Sequence, residues 1–292
     1  MMGYTLIIGR GEDPCCGLVS ARLRSLGQRV MLLSENQLFP GLQFAWRLNE
    51  DSFGSLALEA QFARFDEIDA VLARFSGIAC SPQDFESKNG RYLSSEWHAL
   101  IRGYIESLPC PVVNRPGPEL WYKSFLRAAD LMSLVPDMKF QVPRTMVTTS
   151  FEDALAFFDL CGGRTCYSPL TLRSKYFINT KDDVQKLEAL SNHLPLHLSE
   201  IISGEPQDAY VVGNRVIFDN GFRFSAEALC LETAAALKLS FCRLRLIRTA
   251  EDAWYCLSLD CAPNLFGCEV RTRDAVVDGL VETLASGERL AS

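Results

Sequence analysis

The sequence predicts a two-part chain: an α/β lead segment, then an α+β portion with two sheet lobes. Three observations point there. Residues 4–33 run from a short apolar stretch through an amphipathic one to a second apolar stretch, the pattern of a β-α-β unit. The run R-P-G-P at 115–118 sets two prolines around a glycine, a stiff punctuation that places a boundary near residue 116. Beyond it, short β-rich runs alternate with helical periodicity to the end of the chain. The expected domains are therefore 1–116 and 117–292, the second divided into lobes of about 117–196 and 197–292.

Taken in order, Tyr4 to Gly9 (Y-T-L-I-I-G) reads as a strand, the stretch through Leu23 and Leu26 as a helix, and Val30 to Leu33 as a second strand. The intervening turn R-G-E-D-P-C-C-G lacks the spacing of a dinucleotide loop. Glu12 and Asp13 would also repel phosphate, so a connecting loop is expected. Strands are expected at Phe44 to Leu48 and Ala70 to Phe75. A helix is expected over Ser94 to Leu108, where Trp97, Ile101, Tyr104 or Ile105, and Leu108 share a face. Past the boundary, Trp121, Phe125, Ala128 and Met132 form a helical stripe that leaves Lys123 facing solvent or a cleft. V-P-R-T-M-V-T-T at 142–149 is a β-branched strand, and Ser150 is the candidate N-cap of a helix with Glu152 and Asp153 in its first turn. Strands at 164–167 and 176–180 precede a helix from Lys181. Strand patterns follow at 197–202 and 209–218, then a helix at 226–237, strands at 241–248 and 254–260, and a helix at 272–284.

Composition narrows the function. With 292 residues and 48% hydrophobic content the chain can bury large cores. A net charge of -7 with no basic stripe argues against nucleic acid or an anionic membrane as partner. No apolar run reaches the roughly 18 residues that span a bilayer, and the first residues lack signal-peptide features, so a cytoplasmic protein is expected. The eleven cysteines show no C-x-x-C spacing and are expected to be buried thiols. His98, His193 and His197 are expected at the surface or in satisfied packing.

At W-Y-C-L-S-L-D-C-A-P-N-L-F-G (254–267), period-two alternation puts Ser258 and Asp260 on the side opposite Leu257 and Leu259. Two acids so spaced would suit a divalent cation, but only one is acidic. The preceding strand places Arg243 and Arg245 on one face.

These landmarks come in a telling order: V-L-A-R-F, the helix containing Glu96, V-V-N-R-P, Lys123 within W-Y-K-S-F-L-R-A-A, V-P-R-T-M-V-T, S-E-I-I-S-G-E-P-Q-D-A-Y-V-V-G-N-R-V and L-S-L-D-C-A-P-N. The set resembles the ATP-grasp ligases that modify ribosomally made peptides. That resemblance implies a Rossmann-like pre-ATP-grasp domain followed by a two-lobed ATP-grasp domain, and chemistry in which ATP activates a carboxylate for attack by an amine. Such phosphoryl transfer rests on lysines at the phosphates and acids on magnesium.

Compared with that pattern, Lys123 matches the linker-helix lysine, whereas Ser168 stands where the strand lysine is expected, with Arg173 or Lys175 as substitutes from the following turn. Glu200 matches the acid beside the adenine-binding main chain, or is a turn residue. Asp208 lacks the arginine two positions on. Arg245 stands for an aspartate, Ser258 for a glutamate and Asp260 for an asparagine. The expectation is a remnant metal site, with Arg245 neutralising Asp260, in a non-catalytic protein that binds a peptide or partner protein; the resemblance implies homodimerisation as a family habit. The alternative is an active carboxylate-amine ligase with ATP and Mg2+, using Lys123 and Lys175 on phosphates and Asp260 and Glu200 on the metal. A third reading has Arg243 and Arg245 bind an anion directly.

Overall fold

The computed structural model describes residues 3–35, 41–47, 53–58, 61–74, 88–115, 117, 125–170, 174–219 and 225–286. The chain divides into two compact units. The first comprises Met1–Phe125, Asp208–Leu244 and Asp260–Ser292, the second Leu126–Gln207 and Arg245–Leu259.

The first unit opens as the sequence predicts. Strand β1 (Tyr4–Gly9), helix α1 (Pro14–Ser25) and β2 (Arg29–Ser34) make a β-α-β unit whose strands pair in parallel, and β6 (Ile68–Ala73) and β7 (Val112–Val113) complete a sheet ordered β2-β1-β6-β7. Parallel strands are covered on both faces, which is why Leu6, Ile7, Ile8, Val71 and Leu72 are all fully buried. One face packs on α2 (Lys88–Ser107) through Ile101, Tyr104, Ile105 and Leu108, the stripe read from the sequence. The other face packs on α1, and Val19 and Leu23 there meet Val276 and Leu280 of the last helix, α7 (Val270–Ala285). A three-stranded antiparallel sheet, β3 (Leu42–Arg47), β4 (Phe53–Leu58) and β5 (Gln61–Arg64), fills the span where the sequence suggested one strand.

In the second unit, an antiparallel sheet ordered β11-β10-β12-β9 is built from β9 (Thr145–Thr148), β10 (Thr165–Tyr167), β11 (Tyr176–Ile178) and β12 (Leu196–Glu200). Its Tyr167, Ile178, Leu196 and Leu198 pack against α4 (Phe151–Leu160) and α5 (Lys181–Ser191). Ser150 caps α4, its hydroxyl accepting the Asp153 amide at 3.2 Å, with Glu152 and Asp153 in the first turn. Replacing Ser150 by alanine is expected to lower stability by about 1 kcal/mol in urea unfolding.

A further sheet has five strands, ordered β14-β13-β15-β16-β8. They are β8 (Phe125–Arg127), β13 (Pro206–Val212), β14 (Arg215–Phe218), β15 (Phe241–Arg248) and β16 (Trp254–Asp260). The run at 209–218 is thus two strands, joined at Gly213, whose φ of +56° suits a tight turn. One expectation is corrected. Trp121 lies outside the described residues, and the rest of the stripe, Phe125 to Met132, is not one helix face, because Phe125–Arg127 is a strand and Ala128–Leu134 (α3) is helical. Helix α3 buries Ala128 and Leu131 and exposes Met132 at 55%. A 3.6-residue spacing persisted there by coincidence across a segment that pairs at a sheet edge. Helix α6 (Glu227–Ala236) completes the set.

Candidate functional site

In the first unit a guanidinium stands between two carboxylates. Arg243 on β15 approaches Asp260 at 3.4 Å and Asp208, on β13, at 3.5 Å. Asp260 is 1% exposed at its side chain, and its other oxygen accepts the Ala262 amide at 3.1 Å, a turn that an aspartate readily makes. Burial works against the charge on Arg243, but Asp208 and then Asp260 outweigh it and raise its pKa. Tyr210, two residues along β13 from Asp208, bonds Cys268 Sγ through its hydroxyl at 2.8 Å. Burial, reinforced by that bond, raises the phenol pKa and keeps it protonated. Asp208 Oδ1 is buried with no hydrogen-bond partner among the described residues.

The ends of these strands are held by Asn114 of V-V-N-R-P. Its Nδ2 donates to the carbonyls of Phe241 at 2.5 Å and Cys261 at 2.8 Å, and its Oδ1 accepts the amides of Ser240 at 3.0 Å and Phe241 at 2.9 Å. Four bonds from one side chain fix the start of β15, two residues before Arg243, and the chain just past Asp260 at the end of β16. Arg74, from V-L-A-R-F, plays a matching part at the end of β6. It is buried, donates to Asp13 at 2.6 Å and to the Pro263 carbonyl at 2.9 Å, and lies over the Phe241 ring. Asp13 also caps α1 by accepting the Cys15 amide, so the acidic turn is a structural cap. Burial pushes the Cys15 thiol up to about 11, leaving it protonated and unreactive at neutral pH.

In the second unit, Glu200 at the end of β12 is held by Arg144 through paired bonds of 3.0 and 3.1 Å, which lower its pKa. Arg164 fastens the next residue, accepting the Ile201 amide and donating to the Ile201 carbonyl. Ser168 is buried and its amide donates to the His197 carbonyl at 2.9 Å. Lys175 is exposed just before β11. Lys123 and Arg173 lie outside the described residues.

Of the residues singled out from the sequence, the structure brings Arg243 and Asp260 together. Ser258 is buried two residues before Asp260 on β16. Arg245 is exposed, and the ion pair to Asp260 is made by Arg243, two residues earlier on the same strand. The residue that sequence reasoning missed is Asp208 as the second partner of Arg243. Its signal was the missing arginine two positions on, whose charge arrives from another strand instead. Among the described residues no three His, Cys, Asp or Glu side chains gather into a metal-binding group.

The sequence matches no protein-family model and no curated protein. Solved structures do match in fold. The macrocyclase MdnC of Microcystis aeruginosa MRC, bound with precursor peptide MdnA, superposes with a TM-score of 0.81 at 15% identity, over 97% of this chain and 99% of that one. A RiPP-associated ATP-grasp ligase of Chryseobacterium gregarium, in complex with ADP and a leader and core peptide, gives 0.78 at 15% identity, over 100% and 99%. The ATP-grasp ligase PsnB complexed with a minimal precursor, Mg and ADP gives 0.73 at 18%, over 96% and 98%.

Proposed function

We propose that this chain, which has the fold of the peptide-modifying ATP-grasp ligases, is a non-catalytic protein that holds a peptide or partner protein of a peptide-modification pathway. The observation that supports this most is the guanidinium of Arg243 between Asp208 and Asp260. Magnesium needs hard oxygen ligands with no competing charge among them. Here the carboxylates of β13 and β16 are already engaged by a cation of the chain's own, so the residues present do not fit the ion. Ser168 and Ser258, where the resemblance implies a lysine and a glutamate, agree with that reading. Losing one such charge contact costs on the order of 10² or more in rate, and several losses compound. Peptide binding is carried over from the solved relatives, which are complexes with precursor, leader or core peptides.

A second reading, an active carboxylate-amine ligase, is favoured by one feature: Asp208 joins Asp260, giving two acids where the sequence suggested one. Turnover separates the two. With ATP, Mg2+ and a peptide that binds the chain, the expected result is no ADP above a protein-free control. In thermal unfolding Mg2+ should add nothing to any nucleotide effect, whereas a Mg2+·ATP site would stabilise by about 2.7 kcal/mol at a hundredfold excess over its Kd. Peptide-dependent ADP release would sink the non-catalytic reading.

A further inference from the structure

His197 departs from the expectation of a surface or satisfied imidazole. It lies on β12 between Leu196 and Leu198, which pack under α4 and α5, so alternation turns it to the other face of the sheet. It is still only 4% exposed, and its Nδ1 has no hydrogen-bond partner among the described residues. A neutral imidazole carries one N–H and one bare nitrogen. With no acceptor for an N–H at Nδ1, the bare nitrogen is Nδ1, and that atom takes the next proton.

The charges that act on this imidazole are Arg127 from β8, Asp130 from α3 and Lys175 from the residues before β11. Two of the three are cations. The residue opposite His197 on β9 is Val147, and one step beyond the β10–β12 ladder the same register sets Ser168 opposite it, so neither neighbouring strand adds a charge there. The Ser168 amide donates to the His197 carbonyl at 2.9 Å, in keeping with that register. Arg127 ties its segment to the same place: its Nη2 donates to the Pro169 carbonyl at 2.5 Å, and its amide donates to Asp130 Oδ2 at 3.0 Å at the start of α3. A proton on Nδ1 would therefore put a buried charge beside two others of its own sign, with one carboxylate to offset them. Such a charge is costly where it is, and moving a neighbouring cation away relieves it.

We infer that His197 is a proton-operated latch: neutral, it lets Arg127 hold β8 and α3 to the end of β10, and protonated, it drives Arg127 off and loosens that segment. The direction follows from the surroundings. Burial first, and then Arg127, holds the imidazole below the ordinary histidine value of about 6.5. Because the folded value lies under the unfolded one, the latch is fully closed above about pH 6.5 and weakens as pH falls from there to the folded value. Opening gains up to about tenfold per pH unit across that window. Ordinary carboxylates titrate near pH 4, and Glu200 in the same unit is held lower still by Arg144, so they do not share the window. The latch is independent of the non-catalytic reading, since it neither requires nor forbids turnover.

The test uses the full chain and two measurements. In an NMR titration of the three imidazoles, His197 is expected to titrate below the ordinary histidine value and to move up in Lys175→Gln. Lys175 is exposed, so that variant keeps the fold. Amide hydrogen exchange, corrected for its intrinsic pH dependence, should show Ala128 to Leu134 and Ser168 opening up to about tenfold more at pH 5.5 than at pH 6.5, with α2 of the first unit unchanged. His197→Gln should abolish that dependence, and His193→Gln, at an exposed site in the same unit, should keep it. The inference is overturned if His197 titrates at 6.5 or above, if Lys175→Gln leaves its titration in place, if those amides open no more at pH 5.5, or if they open equally in His197→Gln. Should His197→Gln fail to fold, the parent and Lys175→Gln still decide.

Discussion

Arg243→Ala is expected to be the most damaging single change in the first unit, lowering stability by about 3–5 kcal/mol in urea unfolding. The loss exceeds that of an ordinary surface ion pair because the partners do not return to water. Asp260 is 1% exposed and Asp208 18%, so the truncation takes from two largely buried carboxylates the guanidinium that they share. Arg243→Lys should recover only part, since an ammonium is a point charge and cannot reach both acids with separate donors. A second measurement separates this cause from plain loss of packing. With the guanidinium gone, millimolar Mg2+ or Ca2+ should raise the stability of Arg243→Ala while leaving the parent unchanged, because a divalent ion can then take the vacated position. A variant within 1 kcal/mol of the parent would show that Arg243 does not neutralise this pair.

Asn114→Ala is expected to cost about 2–4 kcal/mol, the second largest effect. Each of its four bonds contributes roughly 1 kcal/mol net, and backbone groups left without partners add to that. Asn114→Asp tests the geometry. It keeps the acceptor for the Ser240 and Phe241 amides but turns an oxygen toward the Phe241 and Cys261 carbonyls, so it should be no better than alanine at neutral pH. Amide hydrogen exchange should show lost protection at Ser240 and Phe241 in either variant. Unchanged exchange would mean that the strand ends are held by other contacts.

Much of the fold was legible because local rules and tertiary packing agree. The cap at Ser150, the stripe of Ile101, Tyr104 and Ile105, and the strands at 241–248 and 254–260 follow from periodicity and capping chemistry alone. The spacing of Phe125, Ala128 and Met132 misled, since it cannot distinguish a helix face from an edge strand followed by a short helix. The site was half legible. Period two put Arg243 and Arg245 on one face, but which of them meets Asp260, and that Asp208 shares it, depends on which strands lie side by side.

The interleaving of the two units bears on how the chain is made. The face of α1 that carries Val19 and Leu23 is covered by Val276 and Leu280, and Arg22 on α1 meets Asp278 on α7 at 2.9 Å. During synthesis the opening β-α-β segment therefore emerges some 250 residues before its own lid, a separation of the kind that slows folding and leaves apolar surface open in the meantime. In a nascent chain that face of α1 stays uncovered until α7 has been made.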